Sequence, residues 1–166
     1  MVRIARFEDI PRIAEINIYG WRDSYRGIVS DDFLFKQLSV GEAIKKTKTR
    51  FIKHSGIHLV YEDGTDKIIK GMAVIGNCRD EDMPAGFELM AIYVEKYFLR
   101  CGIGSEFIKY FEEEAERQNK KELCIWVFEK NNAARNFYEY CGYAPDGTTK
   151  LIEPLNALEM RYIKTL

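Results

Sequence analysis

The spacing of apolar residues changes period several times along the chain, and each change marks an element. Val2 to Arg6 alternates, which predicts a short first strand. From about Glu8, the residues Ile10, Ile13, Ala14, Ile18 and Trp21 recur at helical intervals, so one face of a helix is apolar. Asp9 stands near its start, and Pro11 fits a first turn that needs no N–H donor there. Gly20 is expected to weaken the far end of this helix. Ser30-Asp31-Asp32 reads as a capping signal for a short second helix over 33–38, and a third helix is expected over 40–53.

The period then shortens to that of strands. Residues 57–61 and 68–77 predict two strands joined through the turn Glu62-Asp63-Gly64, and 87–94 a third. Between them, 79–85 is polar, contains Pro84 and reads as a loop. Ile103, Phe107, Ile108, Phe111 and Ala115 mark the buried stripe of a helix, with Glu112, Glu113, Glu114 and Glu116 facing water. The almost wholly apolar run 123–127 suits a strand covered on both faces. A last helix over 131–140 ends at Gly142, and two further strands follow around 148–152 and 157–163. The order β-α-α-α-β-β-β-α-β-α-β-β predicts an α/β fold, a mixed α+β sheet of about seven strands with helices on both faces. The strand, glycine loop, helix and strand around residue 100 form a right-handed parallel crossover. No repeat or Pro/Ser-rich linker divides the chain, so 1–166 is expected to be a single domain.

Composition narrows the function classes. The 166 residues are 46% apolar and 31% charged with net charge −1, as in an ordinary soluble globular protein. The nearest approach to a basic cluster is Lys45, Lys46, Lys48 and Arg50, interspersed with Ala43, Ile44 and Phe51. It reads as the solvated face of a helix, so nucleic acid is not an expected partner. No apolar run reaches membrane-span length and the first residues lack a signal peptide's apolar core, so a cytoplasmic protein is expected. Cys78, Cys101, Cys124 and Cys141 are far apart in sequence and read as free thiols. His54 and His58 are separated by Ser55-Gly56, which breaks any shared helix, so no metal is expected.

The most informative segment is Leu99-Arg100-Cys101-Gly102-Ile103-Gly104-Ser105. A strand, a tight glycine loop and a helix hold a diphosphate well, because the first helical N–H groups point outward with a partial positive charge. Further on, Val127 is followed by Asn131-Asn132-Ala133-Ala134-Arg135-Asn136-Phe137-Tyr138 and then Tyr140-Cys141-Gly142-Tyr143. In this order and spacing the three pieces resemble the GCN5-related N-acetyltransferase (GNAT) superfamily, whose members move acetyl from acetyl-CoA to an amine. The entry Arg3-Ile4-Ala5 with Glu8-Asp9 fits the same resemblance. One position departs from it: the family's usual Gln or Arg three residues before the first glycine is Leu99 here, with Arg100 adjacent.

The resemblance implies roles. Arg100, Cys101, Gly102, Ile103, Gly104 and Ser105 would hold the diphosphate of acetyl-CoA through backbone N–H groups, and Ile92, Tyr93 and Val94 would offer backbone groups to the pantetheine. Asn131 would cap the last helix and, with Ala134, border the same cosubstrate. A free alkyl ammonium has a pKa near 10, so a base must take a proton before it attacks. Glu88, at the start of its strand, is the candidate base, and Tyr138 the candidate acid for the leaving thiolate. Against these stand an ordinary strand-end carboxylate and a core aromatic. Trp21, Tyr25, Phe33 and Leu34 are the expected walls of an acceptor site among the first helices and the loop near 79–86, with Glu88 close by.

The expected activity is acetyl transfer from acetyl-CoA to a primary amine of a small molecule by direct attack in a ternary complex, with a homodimer as the candidate assembly. A protein or peptide acceptor, or a non-catalytic CoA-binding sensor, are the alternatives. A nucleotide enzyme of Rossmann or P-loop type fits less well, because no Gly-Lys-Ser/Thr follows the loop.

Overall fold

The computed structural model describes residues 1–166. Its strands are β1 (Val2–Ile4), β2 (Ile57–Glu62), β3 (Ile69–Asn77), β4 (Phe87–Val94), β5 (Glu122–Phe128), β6 (Ala144–Ile152) and β7 (Ala157–Thr165). The helices are α1 (Ile10–Ser24), α2 (Val40–Ile52), α3 (Ile103–Arg117) and α4 (Asn132–Tyr140). One seven-stranded sheet runs in the order β1-β2-β3-β4-β5-β7-β6. Every neighbouring pair is antiparallel except β4 with β5, which the α3 crossover joins in parallel.

Helices cover both faces, as the two apolar stripes predict. Ile103, Phe107, Ile108, Phe111 and Ala115 of α3 pack with Phe87, Leu89, Ile125 and Val127 of the sheet. On the opposite face, Ile13 and Ile16 of α1 pack with Val60, Met72 and Val74. Burying one such aliphatic or aromatic side chain contributes about 1.5–3 kcal/mol, which holds the helices to the sheet. No helix is long and apolar enough to cross a membrane.

Several local expectations change. The segment Phe33–Gln37 is a single wide turn with i to i+5 bonding, and Ser30 Oγ accepts the Phe33 N–H at 3.3 Å. Helix α1 continues through Gly20 to Ser24, because Gly20 lies under the Tyr93 ring. Strand β6 starts at Ala144, earlier than the alternation suggested, with a bulge between Pro145 and Thr149 absorbing Gly147. Glu114, read as facing water, is buried: it pairs with Arg117 and accepts from Gln118 Nε2 at 2.7 Å.

Two irregularities shape the centre of the sheet. Val74 pairs with Ala91 and Ile75 with Leu89, so Met90 is an extra residue that bulges β4. Strands β4 and β5 pair only through Phe87–Leu123, Glu88–Cys124 and Leu89–Ile125. Beyond Leu89 they part, and the edge of β4 from Met90 to Val94 that faces β5 has no strand partner.

Candidate active site

The glycine loop enters α3 through two left-handed residues, Arg100 at φ 60° and Gly102 at φ 80°. The turn aims successive N–H groups outward. The Leu99 N–H bonds to Lys96 O, and the next donor with a backbone acceptor is Glu106, to Gly102 O. The six N–H groups of Arg100, Cys101, Gly102, Ile103, Gly104 and Ser105 have no partner within the chain. Such a row at a helix start binds a diphosphate. Ile103 sends its side chain into the core, while Leu99, Arg100 and Cys101 are exposed. The Cys101 thiol rests on Leu99 O at 3.6 Å.

Helix α4 starts as its sequence requires. Asn131 Oδ1 accepts the Ala134 N–H at 3.2 Å, so Asn131 is the cap. Seven residues on, Tyr138 turns its ring into the core at 6% exposure. Burial pushes its phenol above its ordinary value, with Tyr25 adding to the rise. A phenol held in this way keeps its proton at neutral pH.

From the other face of the sheet, Tyr25 and Tyr93 share a hydrogen bond between hydroxyls at 2.9 Å. Tyr25 is packed edge-on against Trp21 and Phe128, each with ring centroids 4.8 Å away. The Tyr93 phenol is raised by burial, by Tyr25 and by Tyr138. The three phenols therefore lie within electrostatic reach of one another. They come from the C-cap of α1, from β4 and from α4.

A cleft of about 690 Å³ opens on the α1 and α2 face, of a size that suits a small molecule. Trp21, Phe33, Met90, Ala91 and Tyr93 line its apolar side. Of the four expected walls, Trp21 and Phe33 are therefore in place. Tyr25 lies behind them in the Tyr93 hydrogen bond, and Leu34 is fully buried in a satellite core with Val29, Phe128 and Ala157. Neither lines this cleft.

Glu88 is 1% exposed and does not line the cleft. Its carboxylate accepts the Arg79 backbone N–H at 3.2 Å and Arg79 Nε at 2.8 Å, and it also pairs with Arg79 Nη2. Arg79 does line the cleft, so Glu88 stands behind its partner. Nothing in the sequence signals this pairing except that the loop carrying Arg79 ends where β4 begins.

The Glu88 carboxylate also meets two thiols. Cys78 Sγ and Cys124 Sγ lie 3.1 Å apart, and one ligand atom each of Cys78, Glu88 and Cys124 falls within 4.8 Å of the others. Burial and Cys78 push the Cys124 thiol up. The two cysteines, distant in sequence, are neighbours in space, and this trio is the grouping whose chemistry could hold a metal. Arg79 already compensates its carboxylate. His54, by contrast, is an exposed left-handed residue just beyond α2, and His58 is buried in β2.

The loop 79–85 is pinned from below by Arg161 of β7, itself 5% exposed. Its guanidinium donates to Asp82 at 2.7 Å, Asp146 at 2.7 Å, Asp80 at 3.2 Å and Thr148 at 3.1 Å. Trp126 Nε1 donates to the same Asp80 oxygen at 2.9 Å. These bonds fix the loop that presents Arg79 to the cleft.

Comparison with known proteins agrees with this geometry. The family model for the acetyltransferase (GNAT) domain matches residues 54–145. YuaI of Bacillus subtilis, an uncharacterized N-acetyltransferase, is 30% identical over 145 residues, covering 87% of this chain and 79% of YuaI. Rv2775 of Mycobacterium tuberculosis, described as a probable N-acetyltransferase, is 26% identical over 98% of this chain and 90% of its own. Among solved structures, the PaiA N-acetyltransferase from Thermoplasma acidophilum in complex with coenzyme A superposes with a TM-score of 0.78 at 19% identity. That superposition covers 100% of this chain and 98% of PaiA.

Proposed function

The chain belongs to the GNAT acetyltransferase domain family, and from that premise we propose that it moves the acetyl group of acetyl-CoA directly onto the primary amine of a small molecule bound beside it. One observation carries the reading. The edge of β4 from Met90 to Val94 that faces β5 has no strand partner, while Met90, Ala91 and Tyr93 of the same strand line the cleft of about 690 Å³. One strand thus offers a free backbone edge to a donor and side chains to an acceptor. The whole chain, 1–166, serves as one catalytic domain, its sheet running unbroken from β1 to β6.

Each residue then has a task. The N–H groups of Arg100 to Ser105 bind the diphosphate, with the Arg100 charge beside them in place of the side chain that Leu99 does not supply. The unpaired edge of β4 at Ile92, Tyr93 and Val94 receives the pantetheine amides as a strand receives an extended peptide. Asn131 and Ala134 close the adjacent wall. Trp21 and Phe33 hold the acceptor's apolar part.

Glu88 takes a proton from the acceptor's ammonium. An ionised carboxylate accepts about four hydrogen bonds and Arg79 supplies three, so a water on the remaining lone pair relays the proton. As the new C–N bond forms and the C–S bond breaks, the Tyr138 phenol gives its proton to the departing sulfur, and the second proton that the nitrogen sheds on becoming an amide restores the phenol.

The test is release of free CoA thiol from acetyl-CoA across a broad panel of amines. Thiol release with one or more small amines is the expected result. Release only with peptide N-termini or peptide lysines would move the acceptor to a protein. Tight acetyl-CoA binding in calorimetry with no release from any amine would leave a CoA sensor in its place.

A further inference from the structure

The end of the cleft farthest from β4 is built from groups that the transfer of acetyl does not use. Helix α2 turns Ala43, Ile44, Thr47 and Phe51 inward, while the exposed Glu42, Lys46 and Arg50, at four-residue spacing, form the solvent-side rim of the cleft. Glu42 is the single carboxylate in the lining, and Lys45 Nζ already donates to it at 2.8 Å. Arg79 is matched by Glu88. Lys46 and Arg50 have no carboxylate within 4.0 Å and no side-chain hydrogen bond, so the lining carries two uncompensated positive charges.

Beneath them lies His58, 6% exposed, its ring stacked on Phe51 with centroids 4.5 Å apart. Neither Nδ1 nor Nε2 has a hydrogen-bond partner. A buried polar group without a partner loses the hydrogen bonds it makes in water, so both nitrogens call for one. The imidazole lines the cleft, beside Arg50. In register it is paired with Val74, and Val74 with Ala91, so two strand spacings, about 10 Å, separate it from β4.

We propose that Lys46, Arg50 and a ring N–H of His58 form an oxyanion subsite, and that the acceptor is a small amine bearing a carboxylate or similar oxyanion. This rests on the acetyltransferase reading above and narrows its acceptor class. The anion anchors at α2 while the amine points to the parting of β4 and β5. A diamine, cationic at both ends, meets Lys46 and Arg50 with repulsion. The charged rim and the unpartnered buried imidazole thus border one end of the same cleft.

The experiment compares acids with their own amides, which keep the amine and remove the charge. Glycine, 4-aminobutyrate, 6-aminohexanoate and glutamate are assayed by thiol release against the matching carboxamides, with putrescine as the cationic control. Acids are expected to exceed their amides in kcat/KM by about tenfold, the worth of one charge-assisted bond. Arg50→Ala and Lys46→Ala are expected to raise KM for the acids alone and leave KM for acetyl-CoA unchanged, while Arg50→Lys restores most of the preference. Equal use of acids and amides, or preference for putrescine, overturns the subsite and leaves acetyl transfer standing. If no amine releases thiol, the acetyltransferase reading itself fails. Calorimetric titration of 4-aminobutyrate and its amide into the CoA-loaded protein then decides the subsite by whether the acid binds more tightly.

Discussion

A Cβ built on Gly20 would lie 2.4 Å from Cδ1 of Tyr93 and 2.8 Å from its Cγ. Helix α1 therefore presents bare backbone to the ring, and the ring's hydroxyl reaches Tyr25 across that contact. In an exposed helix Gly→Ala stabilises by about 0.5–1 kcal/mol. Here overpacking, about 1–3 kcal/mol, outweighs that gain. Gly20→Ala is expected to lower the unfolding temperature, and Tyr93→Leu to relieve the penalty when the two are combined. A double-mutant cycle by thermal unfolding checks this; strictly additive effects would contradict it.

The two glycines of the loop before α3 do different work. Nothing lies within 4 Å of a Cβ on Gly102, but its φ of +80° disfavours any L side chain by about 1–2 kcal/mol. A Cβ on Gly104 would meet Phe137 Cζ at 3.0 Å. Gly102→Ala is expected to weaken acetyl-CoA binding, and Gly102→Asn to weaken it less, because asparagine tolerates the left-handed region. Calorimetry with acetyl-CoA gives the order.

Tyr138→Phe removes one oxygen from a ring whose packing is otherwise kept. Loss of a positioned acid is expected to lower kcat by about 10²–10⁴-fold with the acetyl-CoA dissociation constant unchanged. Steady-state kinetics together with calorimetry separate the two. An unchanged kcat would take Tyr138 out of the acid role.

Arg161→Met leaves Asp80, Asp82 and Asp146 without their shared cation. Breaking a buried ion pair from one side costs about 3–5 kcal/mol. The variant is expected to unfold at lower urea concentration and to raise KM for the acceptor more than KM for acetyl-CoA, since the released loop carries Arg79. Equal changes in the two KM values would count against the loop's link to the cleft.

Burial and the neighbouring Arg50 push His58 down from 6.5 to about 4. Between about pH 4 and 6.5 the unfolded chain binds a proton that the folded chain refuses, so stability falls as pH falls through that window. His58→Phe keeps a ring against Phe51 and removes the titration. Urea midpoints at pH 7 and pH 5 are expected to drop more for the native protein than for the variant. Parallel drops would show that His58 is not the group responsible.

Much of this molecule is readable from short stretches. The apolar stripe of α3, the strand Phe87–Val94 and the Asn131 cap each depend on residues within about four positions, where helical and strand periods act. The six free N–H groups follow from one glycine loop before one helix. The cleft is different. Lys46 and Arg50 read in sequence as a solvated helix face and are exposed, but nothing local reveals that they border a cleft lined also by His58 and Met90. Nothing near Glu88 in sequence shows that Arg79 pairs with it, and Cys78 and Cys124 read as isolated thiols until the end of β3 and strand β5 bring them together.

The sequence by itself determined the order of elements, the helices on both faces of a mixed sheet, the glycine loop before α3 and the family. The tertiary structure alone decided where β4 and β5 part, which aromatic residues wall the cleft and which charges inside it stay unmatched. Caps, turns and amphipathic periods are interactions between near neighbours and are written in order along the chain. Burial and charge pairing are set by residues such as Arg161 and Asp82, 79 positions apart, that meet only after the sheet has formed.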